Sequence, residues 1–122
     1  MDFAFSEEQE QIRAAIAKIC ARFDDAYWLK KDKEGGFPKE LHQALARDGW
    51  LGVAMPEEYG GSGADRLFSV VLIEEQARIN NSSLGWGLHS EIVAPYFLNY
   101  GSDALKRKYL PKMASGEMVG AI

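Results

Sequence analysis

Between Ser6 and Leu110 the apolar residues recur at intervals of three and four, in stretches that stop at a glycine, a proline or the Asn80-Asn81 pair. That spacing places side chains on one face of an α-helix, so the chain is expected to be all-α. The first stretch is the clearest. Ser6-Glu7-Glu8-Gln9 is a capping box, in which the Ser6 hydroxyl accepts from the Gln9 backbone N–H and the Gln9 side chain reaches back; Ile12, Ile16, Ile19 and Phe23 follow. The spacing predicts one amphipathic helix over roughly 7–23.

Asp24 to Gly36 is charged and breaks the period. Phe37-Pro38 opens a second helix with proline in its first turn, carrying Leu41 and Leu45 and stopped by Gly49. Trp50 to Met55 is an apolar run between breakers, and Glu57-Glu58-Tyr59-Gly60-Gly61-Ser62-Gly63 reads as a loop. Asp65 caps a third helix carrying Leu67, Val70, Val71 and Glu74, ending near Asn80-Asn81.

The next segment is the odd one. Leu84, Leu88, Ile92, Tyr96 and Tyr100 stand four apart, yet Gly85, Gly87 and Pro95 interrupt them. In a helix interior such glycines cost about 1 kcal/mol each and proline about 3 kcal/mol. Glycine admits close approach, so Gly85-Trp86-Gly87 is either a tight helix crossing or one wall of a pocket. Ser102 then caps a last helix from Asp103 to Leu110, with Lys106-Arg107-Lys108 towards its end as the macrodipole prefers. Beyond Pro111 and Gly116, the apolar Met118–Ile122 run has the pattern of a buried strand cut off at its start, without a partner. The chain is therefore expected to be one lobe of a larger protein. This run and Trp50–Met55 are expected to leave an apolar surface that drives self-association.

At 122 residues and 47% hydrophobic the chain suits a single domain with its own core. A net charge of −4 offers no general attraction to nucleic acid or anionic lipid, so neither is expected as a partner. The single Cys20 permits no internal disulfide. The first eight residues carry Asp2, Glu7 and Glu8 in place of a basic leader, and no 18-residue apolar run occurs, so a soluble, cytoplasmic protein is expected.

Groups with chemical potential are few. Gly60-Gly61-Ser62-Gly63 lacks the lysine and preceding strand of a phosphate-cradling loop and reads as a sharp turn. His42 and His89 have no ligand partners at metal-site spacing, and His89 reads as a neutral, hydrogen-bonded histidine at a core edge. No metal site is expected. Glu74 and Glu75 point about 100° apart, too far to share acid–base work, and one of them is expected to make a buried or interface contact. Cys20, beside Ile16, Ile19 and Phe23, reads as a packed thiol. No catalytic group is expected within these residues.

The order Phe5-Ser6-Glu7-Glu8-Gln9, then Gly49 through Pro56-Glu57-Glu58-Tyr59-Gly60-Gly61-Ser62-Gly63, then Tyr100-Gly101-Ser102, Lys108-Tyr109-Leu110-Pro111 and Ala114-Ser115-Gly116-Glu117, resembles the N-terminal helical domain of the acyl-CoA dehydrogenases. The resemblance spans the whole chain. It implies an up-and-down helical bundle over 1–122, with 117–122 beginning a middle β-domain, followed by a C-terminal helical domain in a flavoenzyme that forms homo-oligomers. It further implies α,β-dehydrogenation of an acyl-CoA thioester, in which a carboxylate takes the α-proton and the β-hydrogen leaves as hydride to FAD. The flavin-contacting motif and the glutamate base are expected outside these 122 residues, and the chain alone should neither bind FAD tightly nor turn over substrate. The helical domain contributes part of the acyl-chain wall, expected at Ser82 to Leu88, with Ser82, Ser83, Leu84 and Gly87 as substrate-binding positions. Alternatives are the same lobe of an acyl-CoA oxidase or flavin-dependent monooxygenase, or a stand-alone helical interaction module. Acyl chain length and branching, electron acceptor and oligomeric state lie outside what these residues specify.

Overall fold

A computed structural model describes residues 1–80 and 84–122. Six α-helices, joined by short tight turns, make up its regular structure, and the described residues contain no strand. Helix α1 (Glu7–Cys20) begins at the expected capping box, with Gln9 N–H donating to Ser6 Oγ at 3.2 Å and Ser6 N–H to Gln9 Oε1 at 2.9 Å. It stops one turn before the predicted end, because the Arg22 and Phe23 amides bond to Ile19 and Cys20 carbonyls in a tighter turn.

Helix α2 (Asp25–Glu34) occupies the charged stretch that shows no apolar period. None of its residues is buried, so there was no core-facing stripe to read. Its ends hold it instead: Asp24 Oδ1 accepts from Tyr27 N–H at 3.0 Å, and Gly35 takes a φ of 72° at the far end. Tyr27 Oη donates to Glu40 Oε2 at 2.6 Å, tying α2 to α3 (Lys39–Arg47). Helix α3 buries Leu41, His42, Ala44 and Leu45 on one face.

Two single turns, Trp50–Gly52 and Glu57–Tyr59, lead into α4 (Arg66–Arg78), which starts where Asp65 accepts from Leu67 N–H. The glycine loop folds back on the turn before it. Ser62 N–H donates to Gly52 O, Gly63 N–H to Met55 O and Ala64 N–H to Val53 O, and a Cβ on Gly61 would collide with the Met55 carbonyl. The loop glycines therefore serve close backbone packing.

Helix α4 lies against α1. It buries Ser69, Val71, Leu72, Glu75 and Gln76, and leaves Leu67, Val70 and Ile73 outward. Val71 is on the predicted face, but Leu67, Val70 and Glu74 are not. Trp50–Met55 differs from expectation too: Leu51, Val53 and Met55 are buried, so this run is core, not surface.

Two apolar clusters result. One gathers Ile16, Ile19 and Cys20 of α1, Leu41 and Leu45 of α3, Leu72 of α4, and Leu84 and Trp86; the other joins Met55, Val93 and Ala94 to Leu110, Met113 and Ala114. Each large aliphatic side chain fully buried this way stabilises the fold by about 1.5–3 kcal/mol. Helix α5 (Ala94–Tyr100) and helix α6 (Asp103–Ser115) frame the second cluster. Past the left-handed Gly116, residues 118–122 form no strand, the described residues holding none for them to pair with; Met118 N–H bonds to Lys112 O and Gly120 N–H to a histidine ring.

Candidate functional site

The glycine-interrupted segment is where this fold departs most from regular geometry. Gly85 is left-handed at φ 65°, and from Gly87 to Val93 the helix is wound wide, with the Ala94 N–H reaching the His89 carbonyl five residues back. Such a wide turn is a local insertion in a helix and is frequent where function is built. It leads directly into α5, placing Pro95 in that helix's first turn, where a missing N–H is best tolerated.

Among the expected site residues, Ser82 and Ser83 lie outside the described residues. Leu84 is core: it is 2% exposed and packs in the first cluster with Trp86, whose indole N–H donates to Trp50 O at 3.2 Å. Gly87 is half-buried, and a Cβ built there meets nothing within 4 Å. A tight helix crossing is thereby set aside for Gly87; its missing side chain leaves open room.

Behind this segment the polar groups are tied up. Ser90 Oγ donates to Leu51 O at 2.7 Å, and Ser69 Oγ donates to Glu91 Oε1 at 2.8 Å, joining α4 to the wide turn. The buried His89 ring holds Met113 O at 3.0 Å through Nε2 and accepts the Gly120 N–H at Nδ1 at 2.8 Å. It is the hydrogen-bonded histidine its surroundings in sequence suggested. Burial pushes its titration below the ordinary 6.5, and His42, whose ring stands edge-on at 5.6 Å, is lowered likewise by burial and by His89.

The acids resolve as structure. Glu75 is 5% exposed and pairs with Arg13 at 3.2 Å and Arg78 at 3.3 Å, while Glu74 meets Arg13 at 2.7 Å. Arg13 also lies over the Phe5 ring, so these charges staple α1 to α4. Cys20 is fully buried, and burial together with Glu75 raises its thiol to about 11, which keeps it protonated and unreactive.

One surface extends the expected apolar Met118–Ile122 run onto α5 and α6, a part the sequence did not indicate. An open apolar groove of about 380 Å³ runs between α5, the start of α6 and the tail, lined by Val93, Tyr96, Phe97, Tyr100, Leu105 and Ile122 among others. Ile92, Tyr96 and Tyr100 are 43%, 59% and 82% exposed. Their four-residue spacing was visible in the sequence, but spacing alone does not say which face turns inward. A smaller cavity of about 140 Å³ lies behind the wide turn, with Arg66, Ser90, Glu91 and Asn99 among its lining.

The sequence matches the family described as acyl-CoA dehydrogenase, N-terminal domain, over residues 6–117. It is 36% identical over 118 residues to a long-chain specific acyl-CoA dehydrogenase of Rattus norvegicus, covering 97% of this chain and 27% of that protein. A glutaryl-CoA dehydrogenase of Desulfococcus multivorans is 38% identical over 129 residues, covering 98% and 32% respectively. In structure the chain superposes on an acyl-CoA dehydrogenase from Geobacillus kaustophilus with a TM-score of 0.88 at 34% identity, covering 98% of this chain and 31% of that one. The chain thus spans about a quarter to a third of the length of these relatives.

Proposed function

The chain belongs to the acyl-CoA dehydrogenase family, as a counterpart of its N-terminal domain, and on that premise we propose that it serves an FAD-dependent α,β-dehydrogenation of acyl-CoA thioesters by forming part of the wall around the acyl chain. The observation that carries the assignment of the wall is Gly87. It opens the wide turn with empty space at its absent side chain, so an alkyl chain can lie against backbone there. Leu84 and Trp86 support that wall from the core side, and Ser82 and Ser83 belong to the same proposed wall.

Neither cavity beside the proposed wall suits a flavin. The 140 Å³ cavity, with Arg66 and Glu91 both on its lining, is too small, while the 380 Å³ groove is lined almost wholly by apolar side chains. FAD, which when bound accepts the hydride, belongs in this reading to parts of the enzyme outside these helices. The chain's own share is to exclude water from the alkyl chain and to hold the wide turn in place through Ser90, Ser69 and His89. Residues 117–122 lead towards a middle β-domain, a C-terminal helical domain completes the enzyme, and the whole assembles as a homo-oligomer. Relatives named for long-chain and glutaryl substrates stand at similar identity, so acyl length is left open. A cytoplasmic role in fatty acid metabolism completes the proposal.

In the full-length enzyme, Gly87→Leu should reduce turnover of long acyl-CoA substrates far more than of short ones, by about tenfold or more, because the added side chain fills volume only the distal chain needs. Equal loss at every chain length would withdraw Gly87 from the wall. Absence of bound FAD from that enzyme, together with no dye reduction by any acyl-CoA, would overturn the dehydrogenase reading itself.

A further inference from the structure

The His89 imidazole has a different partner on each nitrogen, and the two partners demand opposite things. Gly120 N–H can only donate, so Nδ1 must carry a lone pair; Met113 O can only accept, so Nε2 must carry the proton. One neutral tautomer satisfies both. The ring bridges the wide turn that bears Gly87, the last turn of α6, and the tail beyond it.

The tail is shaped to receive this contact. A Cβ on Gly120 would press on Met113 Cε at 2.8 Å and Val93 Cγ1 at 2.9 Å, so a larger residue there would have to displace both side chains to keep its amide so near the ring. Met118 N–H to Lys112 O at 3.1 Å and a Lys112–Glu117 ion pair at 3.4 Å hold the preceding residues.

We propose that His89 is a tautomer-specific latch: neutral and protonated on Nε2, it fixes the path of residues 118–122 across the wide turn, and a second proton on the ring unfastens them. A proton on Nδ1 would set two donors against each other at Gly120, removing the attraction and leaving a buried repulsion. From α3, the titratable group facing His89 is His42, whose ring stands edge-on to it; α6 and the tail offer backbone groups, the Met113 carbonyl and the Gly120 amide. Burial lowers the titration of both rings, which keeps the latch closed near neutral pH. Because Gly87 lies two residues before His89, the position of the proposed wall and the path of the tail are tied through one side chain.

Nitrogen-15 NMR of the 122-residue chain tests this. Near neutral pH the ring should show the Nε2–H tautomer, and the Gly120 amide should exchange about tenfold or more slowly than those of Val119 and Ala121. Lowering the pH through the ring's own titration should abolish that slowing, while amides of α1 and α4 stay protected. His89→Asn, whose Oδ1 sits near the place of Nδ1, should keep Gly120 protected without the pH dependence; His89→Gln, which reaches Met113 instead, should lose it. An Nδ1–H tautomer, a Gly120 amide exchanging like its neighbours, or slowing that persists once the ring is charged would overturn the latch, and the wild-type titration decides even if a variant fails to fold.

Discussion

Helices α1, α3 and α4 and the segment from Leu84 to Ile122 are built on different terms. In the first region Ile16, Leu41, Leu45 and Leu72 are fully buried and Arg13 is ringed by Glu10, Glu74 and Glu75, although α4 leaves Leu67, Val70 and Ile73 outward. In the second, the wide turn and α5 turn Ile92, Tyr96 and Tyr100 outward, and the interior is held by hydrogen bonds from Ser90 and His89 to backbone. The first region is sealed mainly by apolar packing and ion pairs, with His42 of α3 as its buried titratable group facing His89; the second, held by buried polar bonds to backbone, is specified by geometry.

The largest expected effect falls on the sealed side. Leu72→Ala should destabilise the chain by about 2–5 kcal/mol, read as a drop in the denaturant midpoint, because Leu72 is fully buried between α4 and α1 and its loss leaves a cavity. A loss below about 1 kcal/mol would mean the α1–α4 seam is as loose as the second region, and the contrast would fail.

A smaller effect should separate the regions by pH. His42 and His89 titrate lower when folded than their ordinary 6.5, so the unfolded chain binds more protons and stability falls as the pH drops through 6.5 towards the folded values. Their contribution is complete above 6.5. Hydrogen exchange between about pH 7.5 and 5.5 should show α5, α6 and the tail loosening before α1 and α4. Simultaneous loosening of all helices would tie the two regions into one unit.

The smallest stability change should come from the outer face. Tyr96→Ser with Tyr100→Ser should alter the unfolding free energy by no more than about 0.5 kcal/mol while weakening concentration-dependent self-association in sedimentation. Unchanged association would move the sticky surface to Leu67, Val70 and Ile73 on α4, in the first region.

What could be read in advance follows the same division. The capping box, the Asp65 and Ser102 caps and the glycine stops are local chemistry between residues two or three apart and start or end helices as expected, but the last helix does not stop at Leu110: it carries Pro111 inside it and runs to Ser115, with Gly116 as its cap. Helix α2 shows no apolar period because none of its residues is fully buried; only Trp28 packs, half-buried, against the first cluster. The Gly85-Trp86-Gly87 anomaly marked the place of the candidate wall, but the wide turn itself could not be foreseen. Its geometry depends on what Trp86, Ser90 and His89 reach, and those partners, Trp50, Leu51, Met113 and Gly120, stand 24 to 39 residues away.

The sequence by itself determined that this chain is helical, where most of its helices begin, and which family it joins, because those depend on short-range spacing and on motifs that stay intact when written in a line. Only the tertiary structure decided which face of α4 and α5 turns inward, that Trp50–Met55 is core, and that His42 and His89 stand against each other across 47 positions of sequence. Those outcomes depend on burial and directional hydrogen bonds between distant residues, and neither exists until the chain has packed.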